Sequence, residues 1–222
     1  MLILINENDL QALEKIAYSN YWITILLMFL FLGIVFLKAI NANRLKETVF
    51  SLFNVSFIET ETDEKTSFFD VFQIVIFIFF VSVLSLLIYR FKIYESTNEI
   101  DSFSTFYSIF LSLSSYFFLK KVLENIFSYL FMIKKEVYFF LISKYNYLYA
   151  VSFLLYISLV LSEYAGFSTS YLLYFSVFLF AVQFVFHIVI NKNLIFRELF
   201  YFILYICAFE IAPLFILFKL MF

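Results

Sequence analysis

The sequence predicts an all-α, polytopic membrane helical bundle, and three observations carry that prediction. Hydrophobic residues make up 64% of the 222-residue chain and charged residues 14%, far from the balance of roughly half apolar and a quarter charged that is usual in soluble domains. Mean hydropathy is +0.98. Apolar runs of about 17 to 25 residues, the length that crosses a hydrocarbon core as a helix, recur between short charged segments. A membrane β-barrel would show alternating segments of about ten residues, and none occurs. With each span taking about 20 residues, a single membrane domain accounts for residues 1–222.

Six runs are expected to span. The first, Tyr18 to Leu37, follows Glu7, Asp9 and Glu14 with only Lys15 to oppose them. It therefore lacks the basic n-region of a cleavable signal peptide and is expected to stay as a true span. The loop Lys38 to Ser67 starts basic and ends in Glu59, Glu61, Asp63 and Glu64. Its plain reading is a solvated loop, and its sharper one a docking surface for a basic partner. The second run is Phe68 to Tyr89, and the third, Phe103 to Leu119, is diluted by serines.

Val122 to Ile133 is too short to span, mainly apolar, and bracketed by Lys120-Lys121 and Lys134-Lys135. That pattern predicts a helix in the cytoplasmic interface, its lysines at anionic lipid headgroups. The alternative is a third helix that continues past the bilayer. The fourth run, Tyr145 to Leu161, is crowded at its start by Lys144 and Asn146. Phe167 to Ile190 and Leu199 to Phe218 complete the set.

Lysine and arginine accumulate after spans one, three and five: Lys38, Arg44, Lys46 and Lys65, then Lys120, Lys121, Lys134, Lys135 and Lys144, then Lys192 and Arg197. The other side holds only Lys15, Arg90, Lys92 and Lys219. The positive-inside rule then puts both termini on the non-cytoplasmic side of the membrane. No internal repeat pairs the first three spans with the last three, which counts against an inverted-repeat transporter. A net charge of −2 without a basic stripe gives no argument for nucleic acid.

The residues that ask for explanation are polar ones inside spans. Glu210 stands near the middle of the last run, three residues before the only proline, Pro213. At 1.5 Å per residue it lies roughly 17 Å from the cytoplasmic boundary, where desolvation favours the neutral carboxyl. Pro213 frees the carbonyl of Phe209 one turn back. Glu210 thus reads either as a neutral, hydrogen-bonded pin or as a proton-binding, cation-binding or partner-contacting group. By depth its expected neighbours are Ser112, Ser115, Ser152 and Tyr156, not His187.

Ser104, Ser108, Ser112 and Ser115 fall on one face of the third span, a packing seam with a hydroxyl-lined solute path as the alternative. Gln183, His187 and Asn191 recur at every fourth position of the fifth span, with Ser176 on the same face. Their plain reading is interhelical hydrogen bonding, and their sharper one a water-accessible relay through His187. Tyr145 and Tyr149 belong to an aromatic belt, and Glu163 is expected near the non-cytoplasmic interface.

The last segment, Tyr201 to Lys219, with its Leu-Tyr run leading to Glu210-Ile-Ala-Pro213-Leu and a closing Phe-Lys, resembles the C-terminal signature of a family of uncharacterised integral membrane proteins from Bacteroidota. The resemblance implies an inner-membrane protein in which Glu210 and Pro213 belong to the family pattern, and it implies no activity.

No zincin motif, nucleophile elbow or P-loop is present. Cys207 is the single cysteine and His187 the single histidine, so neither a metal site nor a cofactor is expected. The sequence reads as a non-catalytic inner-membrane subunit or scaffold of a cell-envelope complex, in contact with lipid headgroups and a membrane protein partner. The alternative is a small proton- or cation-coupled carrier using Glu210.

Overall fold

Residues 21–51, 70–95, 103–130 and 134–197 are described by the structure, a computed structural model. Among them every regular element is a helix: α1 (Tyr21–Ile40), α2 (Ala42–Phe50), α3 (Val71–Glu95), α4 (Phe103–Leu130), α5 (Lys134–Tyr164) and α6 (Thr169–Arg197). Four have the length and composition to cross a membrane, namely α1, Val71–Tyr94 of α3, Ser143–Tyr164 of α5 and Thr169–Val189 of α6. They coincide with the first, second, fourth and fifth predicted runs. The last run, Leu199 to Phe218, with Glu210 and Pro213, lies outside the described residues.

The third predicted run forms the first part of α4. Its serines and terminal lysines keep α4 out of the four helices apolar enough to cross a membrane, yet 28 residues are about 42 Å of helix. That length lies antiparallel to α3, with Phe106 against Tyr89 at one end (ring centroids 6.3 Å apart) and Phe117 against Phe80 further along (5.0 Å). Of the two readings of Val122 to Ile133, the separate interfacial helix is corrected in favour of the continuing third helix. The α-helix runs on without a break to Leu130, because nothing in Leu119-Lys120-Lys121-Val122-Leu123-Glu124 breaks a helix: no glycine, no proline and mostly strong helix formers.

A short amphipathic helix appears instead in the loop after the first span. Asn41, in extended backbone, accepts the Arg44 amide at 3.0 Å and caps α2. Leu45 and Thr48 turn inward while Lys46 and Glu47 stay exposed. The Arg44 side chain pairs with Asp70 and lies 4.9 Å from the centre of the Phe72 ring. The Ser51 hydroxyl sits 2.8 Å from the Thr48 carbonyl and 3.3 Å from that of Asn146. These contacts tie α2 across the N-terminal end of α3 and the first half of α5, at the lysine-rich end of the bundle.

Half of the spanning window of α3, and half of that of α5, is buried, against 22% for α1 and α6. The core is therefore the α3–α5 pair, with α1, α4 and α6 around it. Phe79 stacks on Phe153 at 4.9 Å, and the Tyr156 hydroxyl donates to the Leu27 carbonyl at 3.1 Å. At the end opposite the lysines, Trp22 is enclosed by Tyr89, Phe103 and Phe106 at 5.1, 5.7 and 5.5 Å. Such aromatic pairs add about 0.5–1.5 kcal/mol each beyond area burial. Arg90 of α3 pairs with Glu163 of α5 at the same end, and the Tyr94 and Ser170 hydroxyls meet at 3.1 Å. Helices α5 and α6 join through a tight turn in which Gly166 takes a φ of +69°, a conformation open to glycine at little cost.

Candidate functional site

The lysine-rich end of the bundle holds a buried polar layer. Ser51, Lys120, Glu124, Ser143, Lys144 and Asn146 are all buried there, although in sequence they are spread over three separate loops and helix ends. Its centre is Glu124 of α4, which is 1% exposed. One carboxylate oxygen accepts from the Lys144 ammonium at 3.0 Å and the other from the Tyr145 hydroxyl at 2.6 Å. Both donors come from α5, so a single carboxylate fastens α4 to α5 by two charge-assisted hydrogen bonds.

Two ammonium groups face the Tyr145 ring, Lys121 Nζ at 5.7 Å and Lys144 Nζ at 5.8 Å from its centre. Lys120 lies 5.8 Å from the centre of the Tyr116 ring, one turn back on α4. Aromatic faces are the expected resting place for ammonium groups that have left bulk water. Burial lowers the pKa of Lys121, and the charge of Glu124 works against that shift. The layer thus combines three lysines, one carboxylate and tyrosine hydroxyls at the depth where the apolar runs end. It can hold charge, and it can present positive charge to an anion.

Glu124 was not among the residues singled out from sequence. Reading Val122 to Ile133 as an interfacial segment put its one carboxylate in water. The available signal was a lone acid in an otherwise apolar stretch, one turn after Lys120 and Lys121. Its main partner, 20 residues away on another helix, carries no helical-period signature.

The residues that were singled out fall in different places. Glu210 and Pro213 lie outside the described residues. Gln183 and His187 lie partly buried on α6, and the His187 ring is 6.1 Å from that of Tyr147 of α5, a residue with 0% exposure. Asn191 is in the same helix, its side chain outside the described residues. Tyr156 is spent on the Leu27 carbonyl, as above, and the Ser152 hydroxyl on the Tyr149 carbonyl at 2.6 Å. Ser112 donates to the Ser108 carbonyl at 2.9 Å.

The serine row of α4 faces outward. Ser104, Ser108, Ser112 and Ser115 are exposed, and the face that packs on the described helices is Phe106, Ile109 and Leu113. Of the lysines expected at headgroups, Lys120 and Lys144 are buried in the polar layer and Lys121 partly so, while the side chains of Lys134 and Lys135 lie outside the described residues. Among the described residues no group of histidine, cysteine and carboxylate side chains is placed to bind a metal ion.

A family model described as "Domain of unknown function (DUF4271)" matches residues 23–221. No curated protein matches the chain, and no solved structure matches it.

Proposed function

The chain belongs to the DUF4271 family, a domain of unknown function, and from that premise we propose a six-span, non-catalytic subunit or scaffold of a cell-envelope complex in a bacterial inner membrane. The observation that supports it is the outward serine row of α4. Lipid tails give helices no hydrophobic reason to associate, so small and hydroxyl residues in a row are where a second helix approaches closely. Four such residues turned away from the helices that pack on α4 suit a protein whose remaining partner is another membrane helix. The ion pairs at both ends of the bundle, Glu124 with Lys144 and Arg90 with Glu163, suit a stiff platform for that contact.

A photo-crosslinking amino acid at Ser112 tests this reading in cells, followed by purification in mild detergent. A covalent adduct to a second, stoichiometric membrane protein is the expected result. Crosslinks confined to residues 198–222 of the same chain, or a solitary monomer, would overturn it.

A further inference from the structure

We propose that Lys121 and Lys144, the ammonium groups of α4 and α5 that rest on Tyr145, hold the phosphate of an anionic phospholipid on their side away from the ring. The first support is convergence. Two ammonium groups on different helices lie within 6 Å of one ring centre, and Glu124, which Lys144 bonds, already takes a hydrogen bond from Tyr145. Lys121, Lys144 and Glu124 together carry one net positive charge, and Lys120 on the neighbouring position adds to the local field. Phosphate oxygens can accept from Lys121 and from a second of the three Lys144 donors while Lys144 keeps its bond to Glu124.

The second support is depth. Lys121 follows the apolar run of α4 by two residues, and Lys144 is the second residue of the spanning window of α5, so both mark the level at which the apolar stretches end, where lipid phosphates are expected. The third is the surface beside them. Phe118, Leu119, Val122 and Leu123 are exposed next to Lys121 on α4, an apolar strip along which acyl chains can lie. A free phosphate would use the ammonium groups and leave that strip idle, which favours the lipid. The partial burial of Lys121 disfavours its charged form, and a bound anion would offset that.

The proposal is independent of the scaffold reading, since it concerns lipid and requires no protein partner. Native mass spectrometry of the full chain in mild detergent tests it, with phosphatidylglycerol or phosphatidylcholine of the same acyl chains added. Wild type should retain phosphatidylglycerol selectively. Lys121→Gln should cut retention about fivefold, Lys121→Arg should keep it, and Lys92→Gln, at the opposite end, should leave it unchanged. Lys121→Gln spares the Glu124–Lys144 pair, so loss of folding does not stand in for loss of binding. Equal retention of the two lipids, no effect of Lys121→Gln, or an equal effect of Lys92→Gln would overturn the site. Displacement of the lipid by millimolar inorganic phosphate would overturn the lipid as its ligand.

Discussion

Replacing Glu124 by glutamine deletes more than one contact, because it leaves the Lys144 ammonium in a buried position without its counter-charge. Breaking a buried pair from one side costs about 3–5 kcal/mol, whereas replacing both members with apolar residues is often neutral. Glu124→Gln should therefore destabilise by an amount in that range, and Glu124→Leu combined with Lys144→Leu should recover most of it. Reversible unfolding in mixed micelles reads both variants. A double variant as unstable as the single one would show that the charge pair itself, and not the stranded ammonium, carries the energy. At this scale the sequence was informative about which residues are costly and silent about who meets them. His187 could be placed on a face toward protein from its spacing with Gln183 and Asn191, and it does lie against Tyr147. Glu124 could not be paired with Lys144, because that contact depends on how far α4 extends and on its rotation against α5.

Helix α4 shows what hydropathy along a chain can and cannot tell. The apolar run Phe103 to Leu119 locates the helix, since length and burial in lipid are properties of one segment. Its continuation to Leu130 is equally local, but charge at Lys120 and Lys121 hides it by mimicking a membrane boundary. Which face packs is not local at all. The serine row lies on a single helical face in sequence, and it is the facing row of Phe106, Ile109 and Leu113 that α4 spends on its neighbours. The α5–α6 turn gives the clearest prediction for an element. No atom lies within 4 Å of a Cβ placed on Gly166, so the cost of Gly166→Ala is the left-handed backbone alone, about 1–2 kcal/mol. Thermal unfolding should show that loss, and unchanged stability would mean that the turn adopts a different backbone in solution.

For the molecule as a whole, the paired ends suggest a body that is fixed along its length. Arg44 with Asp70 and Glu124 with Lys144 close the lysine-rich end, while Arg90 with Glu163 closes the other. If the lysines face the cytoplasm, as positive charge in short loops predicts, the α5–α6 turn faces outward. In a chain carrying Cys207→Ser, a membrane-impermeant maleimide should label Ala165→Cys in intact cells and Asn43→Cys only after permeabilisation. The opposite pattern would reverse the orientation. The aromatic enclosure at the end opposite the lysine-rich layer has a practical consequence. Trp22 is the single tryptophan of the chain, and three rings from α3 and α4 surround it. The protein therefore contains its own optical gauge: emission excited at the red edge of tyrosine absorption comes from one known spot. A red shift of that emission during denaturation times the departure of α1 from the bundle, with no label attached.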